Sequence, residues 1–363
     1  IFSWLLGVSL LLRTTFTVYF VPYTAMGAEL STDYDQRTTI AKARVTLGWI
    51  AGMALPAIAF TFFFQPQNGI DGRLVAENYW YYGILSAAVA GVTALICITG
   101  TRSVIPWLPV ATAKAPFKWT DPYNDIIGVC VNRNFRISIG SSLAFGMSTG
   151  AYATLSLYLA TYFWELSVAQ LAGFVVPTAI ATLVAFMVLG PLGRRFDKPT
   201  LMAVFSLVLA SNSVWLFGGR LFDVLPSNGH PMLYSLLLLN TGIAVFSIVC
   251  LQIMSASFAA DILDELEWQT GKRQEGVIFA VGAFLSKATI GAGALIAGVV
   301  IQWVGIQSES VPGQVPADVL QSLGWFTLII VAGFSMIGFG FTTQFRLNRD
   351  DHAKLRKTLD ATS

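Results

Sequence analysis

The sequence predicts an all-α polytopic membrane protein, and three observations lead there. Its 363 residues are 55% hydrophobic and only 12% charged, against about a quarter charged in a soluble domain. Their mean hydropathy is +0.65. The apolar residues gather in runs of about 20, enough for a helix to cross a hydrocarbon core, without the alternation of a membrane strand. Backbone polar groups inside a bilayer must be satisfied within the spanning segment, so each run reads as a helix.

The runs place nine spans at roughly residues 1–24, 42–64, 78–100, 136–162, 168–193, 199–220, 231–258, 274–304 and 320–345. Their connections alternate in charge. One set carries Arg37 and Lys42, then Arg102, Lys114, Lys118 and Arg133, then Arg194, Arg195 and Lys198, then Lys272 and Arg273. The tail adds Arg346, Arg349, Lys354, Arg356 and Lys357, whereas the other set holds only Arg73 and Arg220. The positive-inside bias makes the first set cytoplasmic. Residue 1 is then outside and the C-terminus inside, as an odd number of spans requires, in an inner or plasma membrane. The chain opens at Ile1, already in an apolar run, with no signal-peptide pattern. It is expected to be a piece of a longer protein.

Residues 101–135 form the longest connection and contain Pro106, Pro109 and Pro116. This divides the chain into residues 1–100 with three helices, a cytoplasmic linker at 101–135, a six-helix bundle at 136–345 and a tail at 346–363. Three further helices upstream would give six plus six, the layout of a major facilitator fold built from three-helix repeats. Nine of an expected twelve helices would then be present.

Other chemistries find little support. Cys97, Cys130 and Cys250 lie far apart without metal-like spacing. His230 and His352 fall in an outer loop and the tail and read as polar surface. No glycine loop cradles a nucleotide phosphate. No cluster of His, Asp or Glu at helical spacing suits a membrane-embedded enzyme, and no repeated filter suits a channel. The expectation is no metal, no cofactor and no nucleic acid. The partners expected are the lipid bilayer and a small-molecule solute, and the protein is expected to be a monomer.

Three stretches carry a more specific signal: "VPYTAMGAELSTDYDQRTTIAKAR" at 21–44, "GPLGRRFDKPTL" at 190–201 and "ADILDELEWQTGKRQEG" at 260–276. Together they resemble the glycoside–pentoside–hexuronide:cation symporter family, the melibiose-permease-like branch of the major facilitator superfamily. The resemblance runs over the whole chain and aligns residue 1 with the family's fourth helix. It implies secondary active transport of a sugar, glycoside or hexuronide-like solute by alternating access, coupled to Na+ or H+. Lysolipid symport, found in the same wider group, is the alternative. The second stretch is a general facilitator loop and departs from its pattern, with Arg194 where an acidic residue is usual.

Within these stretches, Glu29, Asp33 and Asp35 meet Arg37, Lys42 and Arg44, while Asp261, Asp264, Glu265 and Glu267 face Lys272 and Arg273. Two cytoplasmic loops of mixed charge can pair across a closed inner gate. The competing reading is two solvated loops, whose exposed pairs contribute only about 0–1 kcal/mol.

In the first span Arg13, Thr17, Phe20 and Thr24 share a helix face. Arg13 sits roughly 18 Å into a core about 30 Å thick, where a charge faces a cavity or a partner. Phe20 stands where the resembled sugar symporters carry an aspartate. Arg44 is near the substrate path by resemblance; read by itself it is a positive anchor at the inner surface. The fourth span is unusually polar, with Ser141, Ser148, Thr149, Tyr152 and Ser156. Packing suits most of these, and Tyr152 is the best cavity candidate. Asn240 and Gln252 are further polar candidates, and Gln252 replaces an aromatic residue expected by resemblance.

Lys287 lies about four turns beyond Arg273, flanked by Gly282, Ala283, Gly291 and Gly293, which permit close helix packing. By resemblance this lysine faces the cavity near the cation site. A buried ammonium needs a negative partner, and this chain offers no carboxylate at mid-membrane depth. The partner is expected on upstream helices or on the substrate.

Overall fold

The computed structural model describes residues 2–31, 33–64, 76–107, 126–271, 274–306 and 313–362. The elements in chain order are α1 (Phe2–Glu29), α2 (Tyr34–Ile58), α3 (Ala76–Thr101), α4 (Arg133–Tyr158), α5 (Val168–Gly173) and α6 (Val175–Arg195). They continue with α7 (Lys198–Leu221), α8 (Pro231–Thr270), α9 (Glu275–Val304), α10 (Ala317–Thr342) and α11 (Arg349–Thr362). There is no strand among the described residues. Among the described residues each expected span lies on helix over most of its length, the last ending at Thr342 and not at 345. Six stretches, Glu77–Thr101, Gln170–Arg195, Lys198–Leu221, Pro231–Thr270, Gly276–Val304 and Ala317–Thr342, are long and apolar enough to cross a membrane. The chain is an all-α, multi-pass membrane protein.

The helix ends follow local chemistry. Asn132 caps α4 by accepting from the Phe135 amide at 2.8 Å, and Ser167 with Gln170 forms a capping box on α5. Pro231 opens α8 behind the cap His230. α8 and α9 both end on a left-handed glycine, Gly271 (φ 66°) and Gly305 (φ 81°).

Two expectations change here. α8 runs for 40 residues, well past the expected end of its span. Residues 260–270 contain no Gly or Pro, and Ile262, Leu263 and Leu266 are buried on one side. The charged stretch after Ala260 is therefore helix, not loop. The tail also continues as a helix, α11.

The described structure falls into two compact units. One comprises Ile1–Lys42 with Pro116–Ser363, the other Ala43–Ala115. In the smaller unit, α2 continues into a π-helical turn at Ala59–Phe63. The Phe64 ring lies 4.9 Å from Tyr79 and 5.7 Å from Tyr82. The most apolar window of α3 buries none of its residues, as suits a face exposed to lipid.

In the larger unit α4 packs on α9 and α10, α8 packs on α6 and α7, and α10 packs on α7. α1 lies against α9, and α11 against α8. Glycines allow the α4–α9 contact. A Cβ added at Gly293 would sit 2.7 Å from the Ala151 nitrogen and collide with the Met147 carbonyl. One at Gly150 would strike the Ile290 carbonyl. Of the glycines expected to permit close packing near Lys287, Gly293 does so, whereas Gly282 and Gly291 have nothing within 4 Å.

Polar side chains also pack the helices together. Asn212 and Asn240 each donate to the other's carbonyl at 3.0 Å. Ser148 lies 3.0 Å from both the Val331 carbonyl and the Ser335 hydroxyl. At the end away from the charged motifs, Phe163, Trp164 and Phe217 form an aromatic cluster with Leu216, Leu233 and Leu323.

The glycine contacts make a testable distinction. Gly293→Val overpacks the α4–α9 crossing and should cost about 1–3 kcal/mol, read as a lowered thermal midpoint in detergent micelles. Gly291→Val faces open space and should leave the midpoint unchanged. Equal destabilisation by both would contradict the crossing.

Candidate functional site

The charged motifs converge on one buried cluster. Asp33 caps α2, its Oδ1 accepting from the Gln36 amide at 2.7 Å. One turn on, Arg37 points away from water and is 2% exposed. Its Nε donates to the Ser31 carbonyl at 2.8 Å. Its two terminal nitrogens grip Asp264, at 2.6 Å to Oδ2 and 3.2 Å to Oδ1. One of them also reaches the Ala260 carbonyl at 3.2 Å and Asp261 at 3.5 Å. Asp261 and Asp264 lie three residues apart on α8 and so share a face.

Two further groups complete the cluster. Lys198, in the first turn of α7, donates from Nζ to Asp261 Oδ2 at 2.6 Å. His352 of α11 places Nε2 3.0 Å from Asp264 Oδ2 and 3.7 Å from Asp261 Oδ1. The carboxylates are completely buried, and the side chains of Arg37 and Lys198 are 1% exposed. Isolated buried charges cost several kcal/mol each, so the arrangement stands only because each charge is paired and hydrogen-bonded. The fork-on-carboxylate grip of Arg37 is the strongest type of such contact.

A second layer surrounds this centre. Arg349 grips Asp35 at 3.2 and 3.3 Å, donates to the Gly193 carbonyl at 2.5 Å, and its backbone amide donates to Asp197 at 3.2 Å. Thr38 and Ser257 share a buried hydrogen bond at 3.0 Å. Asn134 donates to Glu265 at 2.8 Å. A cleft of about 80 Å³ between α2 and α6 is lined by Asp35, Thr38, Thr39, Lys42, Gly190, Gly193 and Arg194. Lys42 rests over the Phe186 ring at 4.5 Å.

The second expected site lies where α1 meets α9. Lys287 Nζ donates to the Thr17 hydroxyl at 2.5 Å, and the same hydroxyl donates to the Arg13 carbonyl at 2.7 Å. Lys287 also lies 5.8 Å from the Phe16 ring, which stacks on Phe20 at 5.3 Å. Arg13 and Lys287 are exposed, while Thr17 and Phe20 are half-buried. Among the described residues no carboxylate pairs with Lys287.

Of the predicted gate residues, the structure brings Arg37, Asp261 and Asp264 into direct contact. Asp35 stands beside them with Arg349. Asp33 serves its own helix as a cap, and Glu29 and Glu267 are half-buried. Arg273 and Lys272 lie outside the described residues, as do Arg73, Lys114 and Lys118. Asn240 is engaged in helix packing. Tyr152 and Gln252 are exposed on α4 and α8, and Arg44 is half-buried in the smaller unit.

The reading of His352 as polar surface is corrected, for it is 3% exposed and faces two buried aspartates. Lys198, assigned only to the charge bias of the loops, is fully buried at the centre. The available signal was the tail segment Asp350, Asp351, His352 followed by Lys354 and Leu355, whose spacing makes a helix with the histidine on its inner side.

Residues 1–349 match the family described as MFS/sugar transport protein, and the chain belongs to that family. It is 20% identical over 289 residues to an isoprimeverose transporter of Lactiplantibacillus pentosus. The match covers 77% of this chain and 55% of that protein, so the chain spans about half the length of the relative. Both descriptions are those of transporters, not enzymes.

The pairing at the cluster is open to direct test. Asp264→Ala strands the buried guanidinium and should destabilise the protein by about 3–5 kcal/mol. The double variant Arg37→Met, Asp264→Leu removes both charges and should recover most of that loss. Unfolding in mixed micelles measures both, and a double variant as unstable as the single one would refute the pairing.

Proposed function

We propose that this member of the MFS/sugar transport family is part of a secondary active transporter that moves a sugar or glycoside by alternating access. The proposal extends to symport with Na+ or H+ and to the melibiose-permease-like branch, on the strength of the three motifs. The observation that carries it is the buried cluster of Arg37, Asp261, Asp264 and Lys198. It ties the start of α2 to α7 and α8 through ion pairs that separate as charged units when the elements part. Such a contact is strong when closed, and its groups rehydrate when open, which gives a two-state gate. On the positive-inside reading the cluster is cytoplasmic, and it closes the inner end of the path.

The substrate path in this reading runs along the Thr17, Phe20 and Lys287 face. Phe20 provides a ring for stacking on a sugar. Lys287 provides a cation whose negative partner is an ionised residue elsewhere in the whole protein or a group on the solute. The relative's name makes isoprimeverose the first sugar to try.

Proteoliposomes of the full-length protein provide the test. Gradient-driven uptake of isoprimeverose, other glycosides, hexuronates and lysolipids should show accumulation of a sugar under a Na+ or H+ gradient. Accumulation of lysolipids alone would move the reading to amphiphile transport, and no accumulation under either gradient would reject symport. Lys287→Ala should abolish uptake, a fall of at least about tenfold in rate, while the folded yield stays near wild type. Retained uptake would remove Lys287 from the path.

A further inference from the structure

The start of α11 is held from both flanks by helices of one bundle. Before it, Phe345 is buried and packs edge-on against Phe258 of α8 at 4.6 Å. Leu347 is buried as well. The Arg346 amide donates to Asn134 of α4 at 3.3 Å. The Arg349 amide donates to Asp197, at the cap of α7, at 3.2 Å. One turn on, His352 meets Asp261 and Asp264 of α8. From this anchored backbone the Arg349 side chain reaches two other elements. It donates to the Gly193 carbonyl in the last turn of α6 at 2.5 Å. Its fork also closes on Asp35 of α2, at 3.2 and 3.3 Å.

The Asp35 contact differs from the buried pairs beside it. The side chains of Arg349 and Asp35 are 37% and 45% exposed, whereas those of Arg37 and Asp264 are 1% and 0% exposed. Water and dissolved ions reach the first pair and not the second. Salt therefore screens the first strongly and the second much less. Exposed pairs contribute little as a rule, and two donors on two carboxylate oxygens is the geometry in which they count most. Asp35 also lies in the first turn of α2, where the helix N-terminus favours a carboxylate.

We propose that the start of α11 is a strap across the inner gate: anchored on α4, α7 and α8, it latches α2 through Arg349 on Asp35, and cytoplasmic ionic strength sets how firmly the latch holds. The deduction rests on the reading of the buried cluster as a gate. When α2 parts from α7 and α8, the fork has to release Asp35, so the pair stabilises the closed state alone. Raising the salt concentration weakens that stabilisation and leaves the buried pairs largely as they are, so the gate opens more often. The tail thereby adjusts the gate without lying on the solute path.

Ser257 gives a readout that needs no substrate. It is 1% exposed and is hydrogen-bonded to Thr38 of α2 at 3.0 Å. In full-length protein otherwise free of cysteine, Ser257→Cys is labelled in nanodiscs by an uncharged maleimide carrying a polyethylene glycol chain. Rates at each salt concentration are normalised to the same protein unfolded and taken well below its thermal midpoint. Between about 0.1 and 1 M KCl the Debye length falls from about 10 to about 3 Å. Over that range the rate should rise about two- to fivefold, as the loss of an exposed pair allows. Arg349→Gln and Asp35→Asn should each give the raised rate already at low salt, with little further rise. Combining them should add nothing, because both remove the same contact.

A salt response kept in full by either variant, or effects that add in the double variant, would overturn the latch. The Arg37→Met, Asp264→Leu variant separates the two readings. It should label faster at every salt concentration, and a parental rate there would sink the gate and the latch with it. Faster labelling there, with parental labelling in Arg349→Gln, would sink the latch alone.

Discussion

Asp261 and Asp264 stand one helical turn apart and are both completely buried, and most of the surrounding structure answers to them. Two carboxylates removed from water are tolerable only if cations and donors reach them. Arg37 arrives from α2, Lys198 from α7 and His352 from α11. Each brings its backbone with it. Arg37 holds the Ser31 carbonyl and so fixes the entry to α2. Asp197, at the N-cap of α7, makes no side-chain cap; its carboxylate accepts the Arg349 amide instead. The start of α11 is thereby tied to the start of α7, and all three sequence motifs meet at one place.

The helices were legible because bilayer physics leaves few choices. A run of about 20 apolar residues has to satisfy its own backbone, and helix does so. The charge pairs were legible in part, since opposite charges in two motifs invite pairing. The setting of those pairs was not. Residues 260–270 look like a loop by charge, but an uninterrupted helical spacing of Ile262, Leu263 and Leu266 buries one face and presents the aspartates inward. Lys198 was hidden by position: a lysine at the start of a span reads as one more positive-inside residue, and only the approach of α8 makes it a buried partner. His352 was hidden by length, because a short polar tail carries little hydropathy signal.

Polar residues inside the spans divide by reach. Asn240 and Ser148 have short side chains and meet neighbours already in contact, so they serve helix association. In a bilayer such hydrogen bonds contribute only about 0.6–2 kcal/mol each. Their accumulation at α7–α8 and α4–α10, with the glycine contact of α4 on α9, makes those interfaces firm and close. The buried charge cluster depends instead on the longer side chains of Arg37 and Lys198, which reach Asp264 and Asp261 from other helices. That is the difference expected between a rigid bundle and the parting contact proposed above.

The two cationic sites solve the same electrostatic problem in opposite ways. In the buried cluster Arg37 is paired with Asp264 and Lys198 with Asp261, all within this chain. Lys287 instead spends its hydrogen bond on a neutral hydroxyl, Thr17, and lies above an aromatic face. Among the described residues it has no carboxylate, and it remains exposed. A cation so placed within the bilayer span keeps its capacity to attract negative charge. The cluster thus couples charges of this chain to one another, whereas Lys287 is paired with no carboxylate among the described residues. In the function proposed above that separation has a use: the contact proposed to hold the path shut is distinct from the face proposed to meet the solute.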